Sequence, residues 1–447
     1  MTDLQSILSV AVFFCVILSI ALNIFDIALA GMLGVSTLLI FGIITQEDIL
    51  NIVRTSGATF ALLFGGMVVA RSLTPTGIFE WVGIHFLRAT RGSGRRFLLG
   101  LFVLIVPLCM FLPNATTVML LAPVIIRTAR VLKIDIAAPL IITAIISNSA
   151  GLLTLVGDPA TFLVASSIGM TFIEYLKRVS IGGLMTLIVL IPLLPWVMKD
   201  IWQVKTTLPD DLQPQPLQKP RMAILSLSVL GIMVLLFLFG ENMRTPIVPA
   251  AAAIIACSLA LLVIHATLVE PVGDVLRDVD WKTLIFLACM FILVEAFTKT
   301  GFLDILGGKL YVWFGASILP LALVLVAIVG MASSVLANIP IVAAMTTMLK
   351  GYCVAAELVP EEALGSLFTD WPLQTLPLFV AMMFGGTLGG NSTLIGASAN
   401  VVAAGISGGN GKPITFKMFL RYGLPMTICQ LIVALIYVGI LYFIIGK

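Results

Sequence analysis

Charge is scarce in this chain. Of its 447 residues 11% are charged and 60% are hydrophobic, where a soluble domain carries roughly 25% charged residues. A water-soluble globule and a disordered chain are both excluded. Cys15, Cys109, Cys257, Cys289, Cys353 and Cys429 contain no C-x-x-C pair and lie mostly in apolar runs, which excludes a disulfide scaffold. The two histidines, His85 and His265, are far apart and lack a metal-ligand neighbour, so no metal is expected beyond a bound Na⁺. Basic patches interleaved with aromatics are missing, which removes nucleic acid as a partner. A G-x-x-x-x-G-K-[ST] loop is missing too, which argues against an ATP-driven pump. Intramembrane hydrolysis needs an activated serine or a metal. The histidines suit neither, so the chain is read as a non-enzyme with no cofactor.

What the chain has is apolar runs, which places it in the lipid bilayer as an all-α polytopic protein. Helices are expected at about 7–24, 27–44, 57–73 and 180–198, and again at 222–240, 246–266, 281–298 and 424–445. The first run follows Met1–Ser6 without a basic n-region or a small-residue cleavage site, so it reads as a retained helix. Two runs, about 97–112 and 115–127, are too short to span about 30 Å separately, and Pro113-Asn114 lies between them. They read as a re-entrant hairpin with Asn114 at its tip. A second hairpin is expected at about 317–349 with its tip near Asn338, and broken crossing helices at about 137–170 and 374–408.

The chain is duplicated. At an offset of 224, Thr59 meets Thr283, Thr74 meets Thr298, Gly77 meets Gly301 and Asn114 meets Asn338. After an insertion, Leu155-Val156-Gly157 meets Leu394-Ile395-Gly396. Residues 1–198 form the first repeat, the polar stretch 199–221 a cytoplasmic linker, and 222–447 the second repeat. Each repeat has five crossings, about ten in all, plus one hairpin. An odd number forces the second repeat to enter from the opposite side, which is the inverted-repeat plan of secondary transporters. Sixteen of the 25 basic residues, Arg88, Arg91, Arg95, Arg96, Arg127 and Arg130 among them, fall in loops on the side away from the N-terminus. The positive-inside rule makes that side cytoplasmic. Both termini are then non-cytoplasmic, in a plasma (inner) membrane.

Interruptions at membrane depth are tolerable only around a polar cavity. Asn114, Thr116 and Thr117 mark the first tip, and Asn338 the second. Asn148, Ser149, Thr154, Gly157 and Asp158 mark the first break; Asn391, Ser392, Thr393, Ser398 and Asn400 mark the second. Glycine lets a chain leave the helix, neutral oxygens and amides contact a small ion, and freed helix ends attract charge. Asp158 is the one acid in these breaks, able to hold a cation or exchange a proton, or simply to cap the helix that Pro159 begins. Arg71 and Glu295, equivalent at the offset of 224, are possible charge partners across the repeats or flanks of the site.

Leu155-Val156-Gly157-Asp158-Pro159 and the run GGNSTLIGASANVVAAGI at 389–406 resemble the ion-transporter superfamily with its citrate-transporter-like domain. The likeness is to the arsenite permease (ArsB), NhaD antiporter and P-protein group. The resemblance implies an elevator-type carrier, a homodimer, with hairpins and broken helices carrying the substrate. Related sodium–dicarboxylate carriers have Ser-Asn-Thr at such tips; here Pro113 and Ala337 precede the asparagines. Two functions follow as expectations. One is alternating-access transport of a small anion or oxyanion, arsenite- or carboxylate-like, coupled to Na⁺ or H⁺. The other is Na⁺/H⁺ antiport with Asp158 as the coupling residue. A channel would hold the same hairpins as a fixed pore.

Overall fold

A computed structural model describes residues 3–21, 24–207, 217, 219–336, 338–364, 368 and 370–445. Among them the chain is helical without a strand, as the composition requires; the one extended pairing is a backbone bridge between Ser93 and Lys205. The first half contains α1 (Asp3–Ala21), α2 (Ile27–Ile40), α3 (Gln46–Leu73), α4 (Ile78–Thr90), α5 (Gly94–Cys109) and α6 (Asn114–Val131). It continues through α7 (Ala137–Ala150), α8 (Pro159–Ser167), α9 (Phe172–Arg178), α10 (Ser180–Ile188), α11 (Leu190–Val197) and α12 (Lys199–Trp202). The second half contains α13 (Pro220–Phe239), α14 (Pro249–Thr267), α15 (Val272–Arg277), α16 (Trp281–Thr298) and α17 (Phe302–Phe314). There follow α18 (Ile318–Val335), α19 (Asn338–Ala355), α20 (Leu376–Gly389), α21 (Ser398–Gly409) and α22 (Phe416–Ile445). Among the described residues seven helices are long and apolar enough to cross a membrane, and five shorter apolar helices accompany them.

Local chemistry sets the boundaries. Asp26 caps α2 by accepting from Ala28 N at 3.0 Å, and Asp280 caps α16 by accepting from Thr283 N at 3.0 Å. Reciprocal capping boxes, Thr45 with Asp48 and Thr171 with Glu174, begin α3 and α9. Proline opens α8, α13, α14 and α20, where a missing N–H costs no helical bond. Inside the span 180–197, Pro192 has no N–H to give Ile188, and the helix is interrupted there into α10 and α11. Gly77 and Gly301, at φ 74° and 70°, turn α3 into α4 and α16 into α17 through the left-handed region.

Helix boundaries keep constant offsets between the halves. Helices α17, α18 and α19 start 224 residues after α4, α5 and α6, and α20 and α21 start 239 residues after α7 and α8. Contacts between the halves come in reciprocal pairs: α3 packs on α14 and α2 on α16, α6 on α21 and α19 on α8, α7 on α21 and α20 on α8. Ion pairs reinforce the first of these layers at both ends of α16, Lys282 with Asp26 and Lys299 with Asp48. Lys282 holds the exposed Asp26 carboxyl below the usual carboxylate range.

Two expectations are corrected, and the polar stretch at 199–221 gains detail. Helices α4 and α17 are absent from the expected set because they are short: in α4, Phe79, Ile84 and Leu87 are buried while Trp81, His85 and Arg88 face outward. The breaks are shorter than the glycine and polar content implied. Ser147, Asn148 and Ser149 are helical in α7, and Gly385, Gly386 and Gly389 are helical in α20. Those glycines serve contact with α18: a Cβ on Gly389 would lie 2.2 Å from the Gly330 carbonyl oxygen, and one on Gly385 3.0 Å from that of Val326. The polar stretch at 199–221 is partly anchored. Helix α12 packs on α5, Gly94 N donates to Val204 O at 3.0 Å, and Thr206 N donates to Gly92 O at 2.9 Å. Its residues 208–216 and 218, like Ala337 at the second tip, lie outside the described residues.

Gly389→Ala is therefore expected to cost about 1–3 kcal/mol, the range for overpacking a close contact, and to lower the unfolding temperature in detergent. Gly408→Ala, where a Cβ meets nothing within 4 Å, should stay within about 0.5 kcal/mol of the parent. Equal unfolding temperatures for the two variants would contradict the α18–α20 contact.

Candidate functional site

Each break folds back on itself around two glycines. After α7 the chain takes a single tight turn at Gly151–Leu153, runs extended at Thr154 (φ −140°, ψ 156°) and again at Asp158 (φ −133°, ψ 126°), and enters α8. The second break ends on extended Ala397 (φ −148°, ψ 150°) before α21. A Cβ on Gly157 would lie 2.8 Å from Gly151 O, and one on Gly396 2.6 Å from Gly390 O, so side chains at either position would open the loop. Backbone carbonyls in the breaks and at the helix ends beside them find side-chain partners. Thr154 Oγ1 donates to Met110 O, Thr393 Oγ1 to Ser334 O, Ser147 Oγ to Asn114 O at 3.0 Å, and Tyr175 Oη to Leu152 O at 3.2 Å. Each such bond ties a break to a neighbouring element, as hydrocarbon surroundings demand.

The asparagines converge into a clamp. Asn148 Nδ2 donates to Asn391 Oδ1 at 3.1 Å and to Asn400 Oδ1 at 3.0 Å. Asn391 Nδ2 donates to Ser149 Oγ and Gln430 Oε1, both at 3.0 Å. Gln430 Nε2 donates to Ser149 Oγ at 2.8 Å and Thr186 O at 3.0 Å; Asn400 Nδ2 donates to Gly390 O at 2.8 Å and Thr393 O at 2.7 Å. Every amide N–H of these four residues is used, and all four are buried. The arrangement joins the ends of α7 and α20 to α10, α21 and α22. Gln430 escaped the sequence reading; its one signal is an amide standing inside an otherwise apolar helix.

Asp158 occupies the other centre. It is buried, 2% exposed, and draws its partners from the second half: Thr387 Oγ1 donates at 2.7 Å and Asn338 Nδ2 at 3.4 Å. The start of α8 turns the N–H groups of Ala160 and Thr161 towards the carboxylate, without a regular capping bond. Among the described residues no basic side chain lies within ion-pair distance of it. Next to it, the Asn114 amide lies about where a Cβ on Gly151 would meet it, at 3.1 and 3.2 Å, and the same Cβ would lie 3.1 Å from that of Asp158. Asn114 Oδ1 and Thr117 Oγ1 are buried and have no hydrogen-bond partner among the described residues. Unpaired buried oxygens of this kind call for an explanation such as a bound ion.

The structure therefore divides the candidates. Asn114, Asp158 and Asn338, with Gly157 closing the loop, surround one centre; Asn148, Ser149, Asn391 and Asn400 form the clamp, and Thr117 lies by Cys109. Thr154 and Thr393 are engaged by backbone, as is Ser392, whose hydroxyl donates to Gly389 O at 2.7 Å. Thr116 is half-buried, and Ser398 faces outward and joins neither group. Arg71 and Glu295 do not pair. The loop after α14 and helix α15 bring Glu270 and Asp278 to the end of α3, where the Arg71 guanidinium takes Glu270 at 3.1 and 3.0 Å and Asp278 at 2.8 Å. This two-pronged match satisfies the planar fork. The charged neighbours of Glu295 are Lys299 and Asp48.

Comparison with known proteins shows the family. The profile of the CitMHS family, described as citrate transporter, matches residues 13–369. An uncharacterized transporter of Synechocystis is 41% identical over 99% of this chain and 98% of its own length. The chain belongs to the CitMHS citrate transporter family. Human P protein is 28% identical to this transporter over 87% of the chain and 54% of its own length. The YdaH transporter of Alcanivorax borkumensis, a solved structure, covers 89% of each chain at 11% identity and a TM-score of 0.49. The apolar helices thus build a polytopic membrane transporter.

Replacing Gln430 by leucine strands the Asn391 amide and the Thr186 carbonyl, at about 1–3 kcal/mol for each buried group left unpaired. Unfolding of Gln430→Leu, Asn391→Ala and the double variant in detergent measures the clamp. The double variant should be less destabilised than the two effects added together, by about 0.5–3 kcal/mol; simple additivity would dissolve the clamp into independent bonds.

Proposed function

We propose that this transporter is a secondary active carrier that works by alternating access and moves a small anion or oxyanion, carboxylate- or arsenite-like, coupled to Na⁺ or H⁺. The observation that carries the reading is Asp158: one buried carboxylate, without a basic partner in ion-pair range, where a break from one half meets the second tip and α20 from the other. Such a group in the membrane is stable only when a cation or a proton answers its charge. The unpaired oxygen of Asn114 adds a neutral ligand beside it. The N-terminal end of α21 supplies N–H groups for an anionic solute, while those of α8 face Asp158. On this reading the halves are inverted repeats with ten crossings, the side rich in arginine is the cytoplasm of a plasma (inner) membrane, and both termini lie outside. The hairpins and broken helices travel together against a scaffold of outer helices, in a homodimer of elevator type.

The lone carboxylate also favours a second reading, Na⁺/H⁺ antiport, in which Asp158 alternates between cation and proton and no anion is moved. Both readings are tested in proteoliposomes loaded with a pH-sensitive dye. External Na⁺ or Li⁺ is added with and without labelled citrate or arsenite. Cation-driven uptake of the label, abolished by Asp158→Asn, is the expected result. A cation-driven pH change without uptake of label, also abolished by Asp158→Asn, replaces it with antiport. Label uptake that survives in Asp158→Asn and keeps its cation dependence would remove Asp158 from coupling and leave it a helix cap.

A further inference from the structure

Helix α6 begins at the first tip and carries an outward stripe that changes character along its length. Met119, Pro123, Arg127 and Arg130 are all exposed and are spaced four, four and three residues apart, so they share one helical face. They line a groove of about 580 Å³ between α6 and α21, floored by Ala122 and Ile126 and walled by Ile406 and Asn410. That volume falls in the range of ligand sites, roughly 300–1,000 Å³. Asn410 Oδ1 accepts from Arg130 Nη2 at 2.8 Å, which holds one guanidinium at the mouth of the groove.

With the tip at the midplane, as the proposed function has it, the depths follow from helix geometry. Met119 lies five residues beyond Asn114, about 7.5 Å along the axis at 1.5 Å per residue. Arg127 lies thirteen beyond, about 20 Å along it. Half of a hydrocarbon core of about 30 Å is about 15 Å. The apolar end of the stripe is therefore at acyl-chain depth and the cationic end at headgroup depth. The two arginines are also not a property shared by the halves: at the offset of 224 their equivalents are Gly351 and Val354. Elsewhere on the same helices the repeat is kept, as in Asn114 and Asn338. Charge has been placed in the half whose groove opens to the arginine-rich side, and basic grooves between membrane helices on that side are suited to acidic headgroups.

We propose that this groove is a binding site for an anionic phospholipid, its phosphate on Arg127 and Arg130 and an acyl chain along Met119, Pro123 and Ile406. The lipid spans α6 and α21, which begin at Asn114 and Ser398, so it braces the first tip against the second break. Membrane lipid composition then regulates the carrier at that joint.

The test reads lipid binding and does not depend on the transported solute. The full-length transporter in neutral detergent is titrated with phosphatidylglycerol or phosphatidylcholine, and the bound lipid is counted by native mass spectrometry while thermal unfolding is followed in parallel. Phosphatidylglycerol should bind more tightly than phosphatidylcholine and raise the unfolding temperature. Arg127→Gln and Arg130→Gln should each weaken it about fivefold, the effect of one basic residue at an anionic surface, and Arg127→Lys should retain most of it. If the double glutamine variant fails to fold, the two single variants and Arg127→Lys decide. Equal binding of the two lipids, or unchanged phosphatidylglycerol binding in both glutamine variants, overturns the site. Displacement of phosphatidylglycerol by millimolar inorganic phosphate or citrate also overturns it, in favour of a vestibule for soluble anions. Loss of lipid binding with transport intact, or the reverse, separates this inference from the proposed function.

Discussion

A backbone that stops being helical within hydrocarbon exposes N–H and C=O groups that no water can reach, each at a cost of several kcal/mol. The two breaks in this transporter, and the helix ends beside them, create that demand around one shared amide clamp, and most of the polar side chains near them meet it. Asn400 covers the carbonyls of Gly390 and Thr393; Thr154, Ser147 and Tyr175 cover those of Met110, Asn114 and Leu152. What is left after this satisfaction is small: the Asp158 carboxylate, the amides of Asn114 and Asn338, and the hydroxyls of Thr117 and Thr387. The clamp itself has no N–H free.

The duplication makes the remainder legible. By the offsets that align the helices, Asn338 corresponds to Asn114, Thr387 to Asn148, and Asp158 to Ala397. The two halves thus share their tips and the reciprocal packing of α6 on α21 and α19 on α8, yet only one carries an acid. Where Asn338 finds a carboxylate, Asn114 keeps an unpaired oxygen. Among these matched positions the scaffold thus carries a single charge.

Rigidity around that centre comes from close backbone contact. Glycines of α20 let α18 approach within van der Waals range of its backbone, and Gly157 and Gly396 do the same inside the breaks. With Gln430 joining α7, α10, α20 and α22, both breaks behave as one packed body, and the ion pairs of α16 with Asp26 and Asp48 hold the outer layer together. Interfaces built this way have few intermediate arrangements, which suits motion as a unit.

The membrane class, the internal identity at a fixed spacing and the acid in the first break could all be read from the linear chain, because they depend on hydrophobic run length, on repeated residues, and on the rarity of charge in apolar surroundings. Helices α4 and α17 could not, since a short amphipathic helix leaves no long run. Glycine misled for a related reason: in Gly385-Gly386-Thr387 it reads as a place to leave the helix, but helix–helix approach uses the same missing Cβ. The tertiary structure alone decided which polar residues are spent on backbone and which remain, drew Gln430 into the clamp, exposed Ser398, and gave Arg71 to Glu270 and Asp278 instead of Glu295. Those outcomes rest on distances between segments up to 281 residues apart, and composition and periodicity report only what a residue prefers, not which distant partner reaches it first.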